Sequence, residues 1–341
     1  MTAASSRLLA LDGARGLAAF AVFGYHLTNY RFPAHGAAAV DLFFMLSGFV
    51  LASVYEDRLR AGLSFWAFAG QRVARLYPLY LLGVTGGLML SLPTQGFAAL
   101  SAWLWNLVLL APSPTPGGAA FWLDPPMWSL SLEMAVNLVF ALALWKASSR
   151  MLVALTGIAG TVLAIAIVAL GQSDFGWQKD ALGFGLGDAR VLFGFPLGWL
   201  AWRFRETLAR GCSRRASILA VVAVVAALAL PGGAAHDLVS LFALFPLAVV
   251  ALALGPQPTG PLGQACGLAG ALSYPLYATH PLVLSTMLGL FGGGYLAQLL
   301  AVSALSLLVA WVAHRTVEPF GRRMLTAAFS SPAVAAEART G

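Results

Sequence analysis

The sequence predicts an all-α polytopic membrane protein, with about ten transmembrane helices and one short re-entrant or interfacial segment. Three observations predict it. Apolar runs of spanning length recur along nearly the whole chain. Hydrophobic residues make up 60% and charged residues only 10% of the 341 positions, which excludes an ordinary soluble globule. The cations are nearly all arginine and cluster in alternate connections, as the positive-inside rule requires. That pattern accounts for the net charge of +7, so no nucleic-acid partner is expected; the expected surroundings are membrane lipids. Cys212 and Cys266, placed in cytoplasmic loops, lack metal-ligand spacing, and neither a metal site nor a disulfide is expected.

The first span covers 9–28. It carries Arg15 in its interior and lacks a small-residue cleavage site, so it reads as a retained helix and not a signal peptide. The second and third spans cover 38–55 and 76–92. The connection between them holds Arg58, Arg60, Arg72 and Arg75, which places it and the N-terminus in the cytoplasm. The stretch 97–111 is apolar, contains Trp103, Trp105 and Asn106, and runs into PSPTPGG. Counted as a span, it would put Lys146, Arg150 and the cluster Arg203, Arg205, Arg210, Arg214, Arg215 outside. It therefore reads as the short re-entrant or interfacial piece. Spans at 127–145, 151–170, 188–202, 216–230, 238–254, 268–289 and 296–314 bring the total to ten, with both termini cytoplasmic. Residues 1–325 form one integral membrane domain, and 326–341 a short disordered cytoplasmic tail. The external connection 171–187 contains GFGLG, but no strand precedes it, so a dinucleotide turn is excluded.

Candidate chemistry begins in LDGARGLAAFAVFGYH. Arg15 and His26 lie eleven residues apart, close to three helical turns, so both side chains share one face about 16 Å apart. A snorkelling arginine and a histidine bonded between helices would give the same pattern. Ionisable groups inside membranes are, however, functional by default. Asp41 opens the second span near the same external side, with Ser47 deeper. Glu133, in WSLSLEM after Trp128, lies inside the fourth span, where a carboxylate is costly unless paired, protonated or hydrated. His280 lies just past the middle of the ninth, and Arg190 flanks the sixth. A histidine backed by a carboxylate is a general-base arrangement, with Glu133 or Asp41 as the partner. Each has a structural alternative: a clamp between helices for Glu133, a helix cap for Asp41, a bond to a carbonyl freed by Pro281 for His280. Arg72 and Arg75, one turn apart on the side where Arg15 emerges, suit a polyanion such as the phosphates of a nucleotide-like donor.

In this order the motifs resemble acyltransferase family 3, the multi-span bacterial membrane O-acyltransferases. LDGARGLAAFAVFGYH is similar to that family's arginine, ten residues, histidine signature. AVDLFFMLSGFVLA, QRVARLYPLYLL, WSLSLEMAVNLVF, SYPLYATHPLV and VEPFGRR resemble the motifs that follow. The second glutamate common in the family is Met134 here, and Thr279 replaces an aromatic residue. The resemblance implies transfer of an acyl group, most often acetyl, from cytoplasmic acyl-CoA to a hydroxyl of a sugar-containing or secondary-metabolite acceptor. Acyl-CoA is then a co-substrate, no cofactor is permanently bound, and the site is the bacterial inner membrane. It also implies that His26 is the essential catalytic residue, Arg15, Arg72 and Arg75 contact the donor, and Glu133 is an acidic residue of the site. Asp41 joins the catalytic set, with Ser47, Trp128, His280 and Arg190 in acceptor-side or supporting roles. No serine sits in a nucleophile elbow, which favours direct transfer. The rival expectation is a flippase for an anionic lipid-linked sugar with His26 and Glu133 as a proton relay. Paired repeats of the kind such folds carry are not found.

Overall fold

The computed structural model describes residues 7–111, 118–178, 180–287 and 295–329. Among the described residues the elements are helices: α1 (Leu9–Leu27), α2 (Ala39–Leu51, prolonged by a π-turn at Ala52–Glu56), α3 (Asp57–Arg60), α4 (Phe65–Gln95), α5 (Phe97–Leu107), α6 (Met127–Leu142) and α7 (Ser149–Leu170). They continue with α8 (Ala181–Arg203), α9 (Arg205–Leu208), α10 (Arg214–Ala229), α11 (Ala234–Val239), α12 (Phe245–Leu254), α13 (Gly260–Met287), α14 (Tyr295–Arg315) and α15 (Val317–Phe329). The PSPTPGG stretch falls almost wholly outside the described residues. Helix α15 runs on to Phe329, and the rest of the expected tail also lies outside them.

Among the described residues, five helical stretches are long and apolar enough to cross a bilayer: Gly36–Arg60, Phe65–Gln95, Ser149–Leu170, Ala234–Leu254 and Tyr295–Leu325. The pair Arg205–Gly211 and Arg214–Ala229, bent by 93°, makes a sixth only if its two parts count together as one span. The expected count of ten is thus met by length and apolarity for only five or six. The shortfall has a physical cause. Helices α1, α8 and α13 are long enough, but glycines and the polar groups Arg15, Arg190 and His280 dilute their hydropathy, while α6 has only 16 residues.

Three boundaries differ from expectation. Arg72 and Arg75 lie inside α4 and not in a loop, because Ser64 caps that helix by accepting from Ala67 N–H at 3.2 Å, eleven residues upstream of the expected start. GFGLG occupies the first turns of α8, since Asp180 caps it by accepting from Gly183 N–H at 2.8 Å. Cys266 sits within α13, which starts at Gly260 and not near 268.

The described helices gather into two compact units. The first takes its residues from Met1–Asp57, Ala147–Gly176 and Asp180–Tyr277, the second from Arg58–Lys146, Trp177–Lys179 and Ala278–Gly341. In the first, α2 and α8 run parallel and are pinned at both ends by ion pairs. Asp41 holds Arg190 at one end, and Glu56 holds Arg203 at 2.7 Å at the other. Between them the backbones touch: a Cβ on Gly48 would strike the Phe195 carbonyl, and one on Gly198 the Met45 carbonyl. Small residues permit such approaches where lipid offers no hydrophobic drive to association. Replacing Gly198 with alanine should therefore force the two backbones apart and cost about 1–3 kcal/mol, read as a lowered unfolding midpoint in detergent. An unchanged midpoint would contradict this packing.

In the second unit α4 is the spine, with α5, α6 and α15 packed along it. Helix α5 has eleven residues and rises about 16 Å, half of a bilayer core. Its last carbonyls would be orphaned, but Tyr80 O–H donates to Asn106 O at 2.7 Å and Tyr77 O–H to Leu107 O at 2.8 Å. Gly321, in VEPFGRR, lies against Pro78 of QRVARLYPLYLL, so two of the motifs meet within this unit.

Candidate active site

In the first unit, Arg15 lies in the second turn of α1 and His26 in its last, both half-buried. The helix stops there because Asn29 and Tyr30 adopt left-handed φ of 52° and 65°, and Thr28 Oγ1 donates back to Gly24 O at 2.9 Å. The His26 ring donates to the Val22 carbonyl one turn back. In neutral imidazole that makes the opposite nitrogen a proton acceptor, as a general base requires. The ring also meets Tyr25 at 5.9 Å and Tyr30 at 5.6 Å between centroids.

Asp41 and Arg190 are both wholly buried. Arg190 Nε donates to Asp41 Oδ1 at 3.0 Å and Nη2 to Oδ2 at 2.8 Å, a two-pronged pair. The same guanidinium donates to the carbonyls of Ala37, at 3.0 Å, and Phe175. Around it stand further titratable groups that sequence reading missed. Tyr25 O–H donates to Asp174 at 3.4 Å, His35 Nδ1 meets Asp237 at 2.7 Å, and the His35 and His236 rings lie 4.3 Å apart. Burial pushes the Asp174 carboxyl above the usual carboxylate range against the opposing pull of Arg190 and the Tyr25 hydroxyl. Ser47 is buried within α2.

In the second unit, Glu133 lies nearly two turns into α6 and faces α4, where Arg72 Nη2 approaches its Oε1 to 3.5 Å. Arg72 is 4% exposed, whereas Arg75, one turn on, is exposed, so the expected arginine pair does not share one environment. Trp128 is buried about one and a half turns before Glu133, and His280 is wholly buried in the second-unit part of α13. One turn after Glu133, on the same face, Asn137 is wholly buried, and neither its Oδ1 nor its Nδ2 has a hydrogen-bond partner among the described residues. An asparagine four residues after the glutamate in an apolar helix was the signal available for it.

Asp124 was also missed. It precedes α6, is wholly buried, and lies against Gly83 at a spot where a Cβ would collide with its carboxylate. Neither carboxylate oxygen has a hydrogen-bond partner among the described residues. Burial therefore pushes its pKa well above the ordinary carboxylate range. With the folded-state pKa above the unfolded one, its penalty is absent below the unfolded value. The penalty then grows as pH rises through the interval up to the folded one. Asp124→Asn should raise the unfolding midpoint at about pH 8 and leave it unchanged near about pH 3. Equal effects at both pH values would contradict an acid held neutral by burial.

The ten residues singled out from the sequence thus divide: Arg15, His26, Asp41, Ser47 and Arg190 in the first unit, and Arg72, Arg75, Trp128, Glu133 and His280 in the second. Each unit brings one carboxylate to one buried arginine. With both ion pairs and the one-faced arginine and histidine of α1 in place, the sequence profile of an acyltransferase domain matches residues 8–315. The chain belongs to acyltransferase family 3. Every motif quoted above except VEPFGRR lies in the matched stretch. Among curated relatives of this family member, Protein 2 in picA locus of Rhizobium radiobacter is 36% identical over 182 residues, covering 47% of this chain and 94% of that protein. Acyltransferase MdmB of Streptomyces mycarofaciens is 36% identical over 155 residues, covering 40% of this chain and 39% of MdmB. No solved structure matches the chain.

Proposed function

We propose that this acyltransferase moves an acyl group, acetyl in the first instance, from acyl-CoA to a hydroxyl of a carbohydrate or glycoconjugate acceptor. The observation that carries the proposal is α1 itself, which presents a cation and a histidine of defined tautomer on one face about 16 Å apart. The donor-phosphate role falls to Arg15, Arg72 and Arg75, on charge and on the fit of guanidinium to phosphate. His26 takes the proton of the acceptor hydroxyl as its oxygen attacks the thioester carbonyl. The tetrahedral intermediate collapses with cleavage of the carbon–sulfur bond. The imidazolium returns the proton to the departing CoA sulfur, leaving an ester and free CoA. Either Glu133 or Asp41 backs His26 as its carboxylate partner, and each holds a buried arginine within its own unit, Arg72 and Arg190 respectively. His280, Trp128 and Ser47 serve the acceptor side.

The membrane arrangement belongs to the same proposal: ten crossings of the bacterial inner membrane, with both termini in the cytoplasm. The parallel course of α2 and α8 supports that count, because it requires an odd number of crossings between them. Helices α4, α6 and α7 supply three; α5, at half a bilayer thickness, would spoil the parity if it crossed.

The proposal is tested by disrupting the gene and comparing surface glycans and glycolipids by mass spectrometry. Loss of an acyl mass, restored by the wild-type chain and not by His26→Ala, is the expected result. Glycans that keep every acyl group but fail to reach the surface would favour the flippase reading.

A further inference from the structure

Within the first unit, α2, α8, α9 and α12 enclose a groove of about 380 Å³. Met45, Leu197, Ala201, Phe204, Leu208 and Val250 are among its walls, and Thr207 is the one polar side chain on them. Phe204, Leu208 and Leu247 remain 48%, 37% and 67% exposed at its edge, so it opens outward.

The same segment that closes the groove carries charge. The stretch Arg205–Gly211 meets Arg214–Ala229 at 93°. Helix α10 exposes Ile218, Leu219, Val222 and Val225 as a membrane-facing helix does, so the 205–211 segment lies along the membrane plane. Thr207 and Leu208 of this segment, with Phe204 just before it, line the groove. Arg203 is consumed by Glu56, and Arg205 lies 4.0 Å over the Trp202 ring. Arg210, Arg214 and Arg215 are exposed and take part in no ion pair among the described residues, with Glu206 the single acid of the elbow. The segment that lines the groove thus runs on, two to seven residues past Leu208, into three guanidinium groups with no ion-pair partner among the described residues.

We propose that the groove holds one acyl chain of an anionic phospholipid whose phosphate sits on Arg210, Arg214 and Arg215. A zwitterionic headgroup would leave the three arginines facing its own cation. Each arginine at an anionic surface is worth about fivefold in affinity, so three give about a hundredfold preference.

The test uses the full chain purified in detergent, equilibrated with dioleoyl phosphatidylglycerol or dioleoyl phosphatidylcholine, and native mass spectrometry to count retained lipid. Wild type is expected to prefer phosphatidylglycerol about a hundredfold. The triple variant Arg210→Gln, Arg214→Gln, Arg215→Gln is expected to bind both lipids at near parity. Thr207→Trp, which fills the groove, is expected to lose both; Leu247→Trp, from the facing wall, serves if that variant elutes as aggregate. Equal retention of the two lipids by wild type, or an intact preference in the triple variant, would overturn the proposal. So would palmitoyl-CoA displacing bound phosphatidylglycerol at lower concentration than phosphatidylglycerol itself, since the groove would then belong to a long-chain donor.

Discussion

His26→Ala is expected to lower acyl transfer by about two to four orders of magnitude, the usual worth of a positioned general base. The protein should still accumulate and purify normally. The side chain is half-buried in the last turn of α1, and the helix is terminated by Thr28, Asn29 and Tyr30 without its help. His26→Gln is the sharper variant. It can keep a donor toward the Val22 carbonyl but has no nitrogen able to take a proton near neutral pH. Both variants should therefore lose kcat alike, measured as CoA release under saturating donor. Turnover within a few-fold of wild type in either would end the assignment of His26.

The second large effect is on stability. Arg190→Met strands Asp41 in a wholly buried position and is expected to cost about 3–5 kcal/mol, seen as a collapsed unfolding midpoint or failure to purify as a single species. The double variant Arg190→Met, Asp41→Leu should recover most of the loss, because it replaces two buried charges with packed apolar groups. Arg203→Met is the internal comparison. Its pair with Glu56 is less completely buried, at 13% and 8% exposure against none for Arg190 and Asp41, so the effect should be smaller. A single variant at Arg190 as stable as wild type would show that the parallel α2–α8 pair does not depend on that bridge.

What could be read without coordinates was whatever lies within one helix. The eleven-residue spacing of Arg15 and His26 and the isolation of Glu133 in an apolar run are local facts, and periodicity exposes them. Helix starts were legible where the apolar run itself opens the helix, as at Leu9 and Met127, and missed where a cap lies upstream of that run. Ser64 and Asp180 each begin a helix well upstream of the hydrophobic run, and they move Arg72, Arg75 and GFGLG from loop to helix. The bridges were not legible. Asp41 and Arg190 are 149 residues apart, and Glu56 and Arg203 are 147 apart, so nothing local marks either as a pair. Nor could hydropathy alone count the crossings. Of the helices that carry candidate chemistry, α2 and α4 keep a spanning hydropathy, whereas α1, α8 and α13 are diluted by their own polar groups.

The decisive assay incubates the purified full chain with acetyl-CoA labelled in the acetyl group and with a hydroxyl-bearing glycan acceptor. Label is expected to move to the acceptor as an alkali-labile ester, with one equivalent of free CoA for each ester formed, and both processes are expected to stop in His26→Ala. Acetyl-CoA left intact by folded wild-type protein, or ester formed at an equal rate without His26, would contradict the role of His26 in acyl transfer.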